Sequence, residues 1–375
     1  MAQPSSSLLP GSMADLTTSS SRLEAIDRIL LNQGLDEAVI SWVRQPQRES
    51  TVNLYSKQWS SYVQFCNRQG WDPLHLRPND ICIYFIHLYD RGLMPSTIRV
   101  HKAAIQSVLK HLGSTLFEEA VVHDLFNSFD RARPRPSRVL PKFDFEVVLR
   151  GFLRPPFVDN SGSDRGIPLE LFVMKTTFLL ALATGCRAGE LHALSRKHKF
   201  AVDTLGSGKR VMTLHAYPGF LAKNQKAGDM FRPLEVPSMC HLVGPRDPDR
   251  LWCPVRAVII YLGKTNLPAY DAQDYRILRH PDPTKKTKKG NISLWIRLAI
   301  AKTHQSADIP LDHINAHEVR AVATSLLAAS GAPMKDVLDS GRWRSEDSFF
   351  NHYLREVASS SGSFNAPFVA AGHVL

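Results

Sequence analysis

The stretch that decides the fold lies in the last third of the chain, at Ala316-His317-Glu318-Val319-Arg320. Two further stretches follow it, Gly341-Arg342-Trp343 and Asn351-His352-Tyr353-Leu354-Arg355. Residues three positions apart lie on one face of a helix, so His317 and Arg320 can both face a single anion. Trp343 and Tyr353 would come from the elements that follow. An imidazole, a fixed cation, an indole N–H and a phenol are a set that suits phosphoryl transfer.

The composition favours two domains and a polyanionic partner. The 375 residues exceed one typical domain. Lys and Arg number 46 against 35 Asp and Glu, which gives a net charge of +11. Such a balance points to nucleic acid first and to an anionic membrane second, although basic charge alone is weak evidence.

Other features predict an intracellular protein without a metal site. The five cysteines are scattered and lack metal-ligand spacing, which is typical of reduced thiols. The N-terminus has no signal pattern. The longest apolar stretch, residues 169–183, is too short to span a bilayer and contains Glu170 and Lys175. It predicts a buried helix.

Hydrophobic periodicity predicts a mainly α protein with a small β-sheet (α+β). The predicted organisation is a disordered N-terminal arm with a short helix (1–45), a compact bundle of four helices (46–130), a basic Pro-rich linker (131–142), a second domain (143–358) and a flexible tail (359–375). In the second domain, residues 211–216 and 231–236 predict two strands joined by a lysine-bearing turn.

Basic residues in the first domain and the linker are candidates for DNA binding. Arg99 and Lys102 lie on the third predicted helix of the bundle, where a solvated face is the default interpretation and a DNA-facing side is the alternative. Arg133 and Arg135 each precede a proline, and Arg138 follows them after Pro136-Ser137. They predict either a plain linker or an extended strap along a phosphate backbone, and both can hold together.

Another arginine follows the predicted buried helix. Gly185 can end that helix in a left-handed turn, so that a new helix begins at about Arg187. Arg187 would then lie beside unpaired backbone N–H groups, where an anion is favoured. Glu190, one turn later, could brace it. Alone, this motif is more typical of an Arg–Glu pair on a helix surface.

Together these motifs resemble the tyrosine recombinase (phage integrase) family. The matches are Thr184-Gly185-Cys186-Arg187-Ala188-Gly189-Glu190-Leu191 for the first Arg box, His317-Glu318-Val319-Arg320 for the His-x-x-Arg box, Gly341-Arg342-Trp343 for the His/Trp position and Tyr353 for the nucleophile. They occur in the family's order and spacing, and the resemblance covers roughly residues 46–358. The ending Phe349-Phe350-Asn351-His352-Tyr353-Leu354-Arg355 is most similar to recombinases of DIRS-type retrotransposons and related eukaryotic elements.

The resemblance implies a helical-bundle core-binding (SAM-like) domain followed by the recombinase catalytic domain. It also implies a role for each site residue. Tyr353 would form a 3′-phosphotyrosyl link, and Arg187 and Arg320 would bind the non-bridging oxygens of the phosphate. His317 would shuttle protons or hold the phosphate, and Trp343 would donate its indole N–H. Lys223 or alternatively Lys226 would protonate the leaving 5′-oxygen, and Glu190 would orient its neighbours. Neither a metal nor a small-molecule cofactor is expected.

The expected function is that of a site-specific DNA recombinase or integrase, acting in the integration or excision of a mobile element. The resemblance implies double-stranded DNA and further copies of the chain, from dimer to tetramer, as partners, without a membrane. A eukaryotic source would place it in the nucleus. Two alternatives stay open: an inactive DNA-binding protein derived from a recombinase, and a type IB topoisomerase-like enzyme. Singly, Trp343 and His317 are more typical of core residues.

Overall fold

The structure is a computed structural model, and it divides the chain into two compact units. The described residues are 21–44, 49–135, 140–197, 202–204 (backbone only), 210–223, 225, 228–240, 242–244 and 246–357. The first unit is Met1–Ser137 and the second is Arg138–Leu375. Residues 1–20 of the predicted arm and the predicted tail, 359–375, lie outside the described residues.

The first unit is built from helices around one apolar core. They are α1 (Arg22–Asn32), α2 (Glu37–Arg44), α3 (Glu49–Gln69), α4 (Pro78–Asp90), α5 (Pro95–Leu109) and α6 (Ala120–Ala132). Short 3₁₀ turns at Lys110–Leu112 and Leu116–Glu118 join α5 to α6. Two of the helices begin at Pro78 and Pro95, because a proline at the first helical position loses no intrahelical hydrogen bond.

The segment predicted as an arm with one short helix differs from that prediction within its described part. It contains both α1 and α2, and α1 places Ala25, Ile26, Ile29 and Leu30 in the core of the first unit. Their helical spacing gives α1 one apolar face, which packs against the bundle and removes that surface from water. Residues 22–44 are therefore part of the bundle.

The second unit is also mainly helical. Its helices are α7 (Phe145–Gly151), α8 (Leu169–Thr184), α9 (Ala188–Ala193), α10 (Pro254–Lys264), α11 (Lys289–Ser306), α12 (Glu318–Ala329), α13 (Met334–Gly341) and α14 (Glu346–His352). The centre of this unit is α8, which contacts α10, α11 and α12 and is buried along nearly its whole length. An all-round apolar helix is stable only when it is surrounded in this way.

A small antiparallel sheet interrupts the helices between α9 and α10. Its strands are β1 (Val202–Thr204), β2 (Arg210–Leu214) and β3 (Leu234–Pro237), with β2 in the middle. The sequence predicts β2 and β3 but not β1, because a three-residue strand containing Asp203 has almost no periodic signal. The connection from β2 to β3 carries Lys223.

A small cluster near the C-terminal end completes the second unit. Leu327, Val337, Trp343 and Phe349 are buried against one another, and Tyr353 packs on them. This cluster brings the end of α14 onto α12. None of the helices in the described part of the chain is long and apolar enough to cross a membrane.

Candidate active site

Arg187 and Glu190 are held together where α9 begins. Gly185 ends α8 in the left-handed region (φ 57°), which a residue with a Cβ adopts only with strain. The Glu190 carboxylate accepts from the Arg187 backbone N–H at 3.0 Å and from Arg187 Nη1 at 3.1 Å. The Arg187 side chain keeps 15% of its surface exposed, whereas that of Glu190 keeps 2%. Glu190 thus fixes the arginine, whose side chain stays partly exposed.

Arg342, just before Trp343, is a second cation on the same carboxylate. Its Nη1 lies 2.9 Å from Glu190 Oε2, and its guanidinium lies over the Phe231 ring at 4.5 Å. Burial favours a raised pKa for Glu190, but Arg342, the Arg187 backbone N–H and the Arg187 guanidinium outweigh it and hold that pKa below its usual value. Glu190 is therefore an anion shared by two arginines.

Arg320 lies in the first turn of α12 and is almost fully buried. Its Nη1 donates to the Gly185 carbonyl at 2.8 Å, and its Nη2 donates to the Gly341 carbonyl. Burial, and then the charge of Arg187, lower its pKa to about 10, so it remains a cation at neutral pH. Two carbonyls thus orient a charged group without neutralising it.

His317 and Tyr353 meet at the start of α12. The imidazole Nε2 and the phenol oxygen lie 2.7 Å apart, within hydrogen-bonding distance. Desolvation by the surrounding protein atoms, and then the charges of Arg320, Arg187 and Lys223, lower the pKa of His317 to about 4, even though part of the residue faces solvent. At neutral pH the ring is uncharged, and one of its nitrogens can accept a proton.

Trp343 contacts both the Arg320 guanidinium and the Tyr353 ring. Its ring centroid is 4.4 Å from that of Tyr353 and 4.7 Å from the Arg320 guanidinium carbon. Within the described part of the chain, Trp343 Nε1 and Arg320 Nε are buried donors that have no hydrogen-bond partner. A buried donor without a partner costs free energy, and a catalytic role or a bound ion is one explanation for such a group in a native protein.

The hairpin lysine lies beside this group. Lys223 is exposed and close enough to His317 to lower its pKa. Lys226 lies outside the described residues, so the choice between the two lysines stays a prediction. The structure therefore brings together the predicted residues Arg187, Glu190, His317, Arg320, Trp343 and Tyr353, with Lys223 at their edge.

The predicted DNA-binding residues of the first unit have partners inside it. Arg99 pairs with Asp130, Nη1 to Oδ1 at 3.0 Å. Lys102 lies over the rings of Phe117 and Phe126 at 5.8 and 5.4 Å.

Arg133 also bonds within the first unit, donating to the Leu93 carbonyl at 2.8 Å and stacking on Tyr89 at 3.9 Å. Arg135 is exposed, and Arg138 lies outside the described residues. The DNA-binding role of all five residues stays a prediction.

Several residues that fix this geometry were not predicted. Besides Arg342, they are Glu318, Ser325 and Arg355, which bond the segment after α14 to α12. The bonded residues of this group are 28 to 37 positions apart in the sequence, which matches no local periodicity. The only available signal was the basic residue two positions after Tyr353.

The side chains that meet here carry an excess of positive charge. Desolvation is the main cause of the lowered pKa values of His317 and Arg320, and neighbouring cations add to it: Arg320, Arg187 and Lys223 for His317, and Arg187 for Arg320. No group of three or more His, Cys, Asp or Glu residues in the described chain is placed to hold a metal ion. A phosphate group would relieve the repulsion among the cations.

Comparison with solved structures shows which fold this is. A structure of the Tn1549 transposon integrase in complex with transposon right end DNA matches with a TM-score of 0.55 at 13% identity, over 92% of this chain and 96% of that one. A lambda integrase tetramer bound to a Holliday junction matches with a TM-score of 0.51 at 12% identity, over 93% and 83%. The chain is thus mainly α with a small sheet and has the tyrosine recombinase fold, which confirms the predicted fold class. No family model matches the sequence, and no curated protein matches it.

Proposed function

We propose that the protein is a DNA strand-breaking and rejoining enzyme of the tyrosine recombinase type, in which Tyr353 becomes covalently joined to DNA. The observation that carries this proposal is the phenol of Tyr353. It lies 2.7 Å from a neutral imidazole and over Trp343, beside a buried arginine. A phenol with a base at one side and cations at the other is set up to become a nucleophile.

In the proposed cleavage step, each side chain of the site has a distinct role. The phenol proton of Tyr353 passes to His317, and the phenolate oxygen forms a bond to phosphorus. Arg187 and Arg320 compensate the charge of the pentacoordinate state, while Trp343 Nε1 and Arg320 Nε find acceptors in the non-bridging oxygens. The bond to the 5′-oxygen breaks, and that oxygen takes a proton from Lys223 or Lys226. Reversal of these steps with a new 5′-hydroxyl rejoins the strand.

The partners and the biological context belong to the same proposal. The Tn1549 neighbour binds transposon end DNA and the lambda neighbour is a tetramer on a Holliday junction, which supports double-stranded DNA and further copies of this chain as partners. We extend the proposal to the integration or excision of a mobile element. The ending at residues 349–355 supports a DIRS-type or related eukaryotic element, and hence action in the nucleus.

A covalent-capture experiment tests the chemistry without a known target site. The full chain is incubated with a pool of duplexes of randomised sequence, each carrying a nick. When a strand is cleaved next to the nick, the short 5′-hydroxyl fragment diffuses away and the adduct cannot reverse. Adducts that survive denaturing detergent are recovered and sequenced. We expect a defined set of sequences joined to the wild-type protein and none joined to Tyr353→Phe.

The outcomes separate this proposal from its alternatives. An inactive DNA-binding protein would retain DNA after gentle washing but none after detergent, in which case the catalytic proposal is wrong. A topoisomerase would relax supercoiled plasmid that contains a single captured site. We expect recombination products only from plasmids carrying two such sites. Tyr353→Phe serves as the control throughout, because it keeps the ring that packs on Trp343.

The general acid is assigned by changing the leaving group. In a duplex with sulfur in place of the 5′-bridging oxygen, the leaving thiolate needs no proton. Adduct formation on this duplex is expected to be normal in the variant that lost the general acid and slow in any other inactive variant. The comparison of Lys223→Ala with Lys226→Ala on this duplex decides between the two lysines, because the general acid is the one whose variant reacts normally. Slow cleavage of this duplex by both variants would exclude both lysines.

A further inference from the structure

The segment that carries Tyr353 has little regular structure of its own. Tyr353 follows the seven-residue helix α14, and residues 354–357 form neither helix nor strand. Asn351 and His352 are exposed on one side of Tyr353 and Leu354 on the other. Tertiary bonds must therefore hold the nucleophile, since a short exposed helix provides few intrahelical ones.

Those bonds converge on Arg355. Its Nε and Nη2 bind the two carboxylate oxygens of Glu318 at 2.6 and 3.2 Å, and each side chain keeps only 4% of its surface exposed. Its Nη1 donates to the carbonyls of Leu354 at 2.9 Å and His352 at 3.3 Å. One guanidinium thus ties the backbone on both sides of Tyr353 to α12.

Ser325 adds a second link between the same two elements. Its hydroxyl accepts from the Arg355 backbone N–H at 2.9 Å and donates to the Tyr353 carbonyl at 3.2 Å. Glu318 directly follows His317 and lies two residues before Arg320. The helix that supplies the base and a phosphate-binding cation therefore also holds the backbone of the nucleophile.

We propose that Arg355 is a positioning residue that sets the distance between the Tyr353 phenol and the scissile phosphate by locking residues 352–355 onto α12. This proposal rests on the proposed function. A plain stabilising role is the alternative, because buried ion pairs frequently have no other role. The contacts of Arg355 favour positioning, since they bracket Tyr353 and join the His352 carbonyl, at the end of α14, to Glu318 of α12. Misplacing a reacting group by about 1 Å can lower a rate about 100-fold.

The test separates the rate of reaction from the binding of DNA. Single-turnover adduct formation is measured over a range of concentrations of a captured nicked duplex. For Arg355→Ala we expect the rate at saturating DNA to fall about 100-fold, with the half-saturating DNA concentration unchanged. Arg355→Lys keeps the charge but not the bidentate geometry, so its rate should be intermediate. Arg297→Ala, an exposed arginine of α11 that bonds the Ser293 carbonyl of its own helix, is the matched control and should match the wild type.

Two further variants exclude simple misfolding. Arg355→Ala leaves Glu318 buried without a counter-charge, so the double variant Glu318→Ala/Arg355→Ala removes both charges and should be slow as well. In a Tyr353→Phe background, hydrogen peroxide serves as an external nucleophile whose attack needs the other site residues but not the phenol. Adding Arg355→Ala to that background should leave the peroxide-driven cleavage unchanged.

Specific results would overturn the role of Arg355. A wild-type adduct rate in the folded double variant, or an equal loss of the peroxide-driven cleavage, would show that Arg355 does not act through Tyr353. Both results leave the proposed function intact, because the wild-type protein still forms its adduct. Absence of an adduct with the wild-type protein refutes the proposed function, and the role of Arg355 with it.

Discussion

Glu190 is the residue whose removal is expected to damage the candidate site most without touching a reacting atom. It is almost fully buried and accepts bonds from the Arg187 backbone N–H, Arg187 Nη1 and Arg342 Nη1, at 3.0, 3.1 and 2.9 Å. Glu190→Ala leaves both guanidiniums without their anion. Glu190→Gln keeps the shape and one acceptor oxygen but removes the charge.

The burial of Arg187 and Arg342 determines how much unfolding free energy the Glu190 variants are expected to lose. Breaking a buried ion pair by removing one partner typically costs about 3–5 kcal/mol. The side chains of Arg187 and Arg342 keep only 15% and 21% of their surface exposed, so water replaces the lost anion poorly. We expect Glu190→Ala to lose about 3–5 kcal/mol of unfolding free energy and Glu190→Gln about 2 kcal/mol, close to one charge-assisted hydrogen bond.

Urea unfolding measures these losses, and hydrogen exchange of peptides from residues 140–357 assigns them to the second unit. Glu146→Gln is the matched control, since Glu146 pairs with the half-exposed Arg150 at 3.5 Å and should cost less than about 1 kcal/mol. The folded-state pKa of Glu190 lies below its ordinary value of 4.5, so its stabilisation is complete above that pH and is lost as the pH falls through the folded pKa. Equal losses for Glu190→Gln and Glu146→Gln would refute this reasoning.

Three more predictions concern the surroundings of Tyr353. Gly341→Ala should cost about 1–3 kcal/mol of stability in urea unfolding, because the added Cβ would overlap the Trp343 ring. The control Gly290→Ala has open space around it and should cost nothing. Equal effects of the two substitutions would contradict the packing of Gly341 against Trp343. Trp343→Phe should keep the contact with Tyr353 but slow adduct formation about 100-fold by losing the indole donor, and an unchanged rate would exclude that role. The pKa of His317 is about 4 in the folded protein and near 6.5 in the unfolded chain, so the unfolded state binds more protons in between and stability rises with pH over this window. His317→Gln should reduce the stability difference between pH 4 and pH 6.5, and a difference as large as in the wild type would contradict the assignment.

The sequence predicted the side chains that meet at the candidate site better than the residues that hold them. Arg187, His317, Arg320 and Tyr353 belong to short local motifs, which can be recognised in the sequence alone. The residues that hold them in place need only lie within hydrogen-bonding distance in the folded protein. Glu318 and Arg355 are 37 residues apart and meet because α12 and the end of α14 pack together, which no local pattern reveals.

The role of a basic side chain is likewise ambiguous until its partners in the folded protein are known. The sequence predicts Arg99 and Arg133 as DNA-binding residues because they are basic and lie on a helix of the first domain and in the Pro-rich linker. In the structure Arg99 faces Asp130, and Arg133 donates to the Leu93 carbonyl. An arginine side chain can reach either solvent or a neighbouring helix, and its own sequence does not distinguish the two. The helices were easier to predict, since their apolar faces repeat along the chain.

Arg342 explains how the candidate site can contain a buried carboxylate and still keep an excess of positive charge. If Glu190 paired with Arg187 alone, the two charges would cancel and Arg187 would offer a phosphate little attraction. Arg342 takes the other carboxylate oxygen, so two arginines share one negative charge and a positive charge remains. Its backbone lies in the left-handed region (φ 48°), a conformation that costs a residue with a Cβ of order 1–3 kcal/mol. The bonds to Glu190 and to the Arg232 carbonyl offset that strain. The same turn directs the Gly341 carbonyl to Arg320 and Trp343 to Tyr353, so Arg342 contributes both to the charge balance of the candidate site and to the placement of Tyr353.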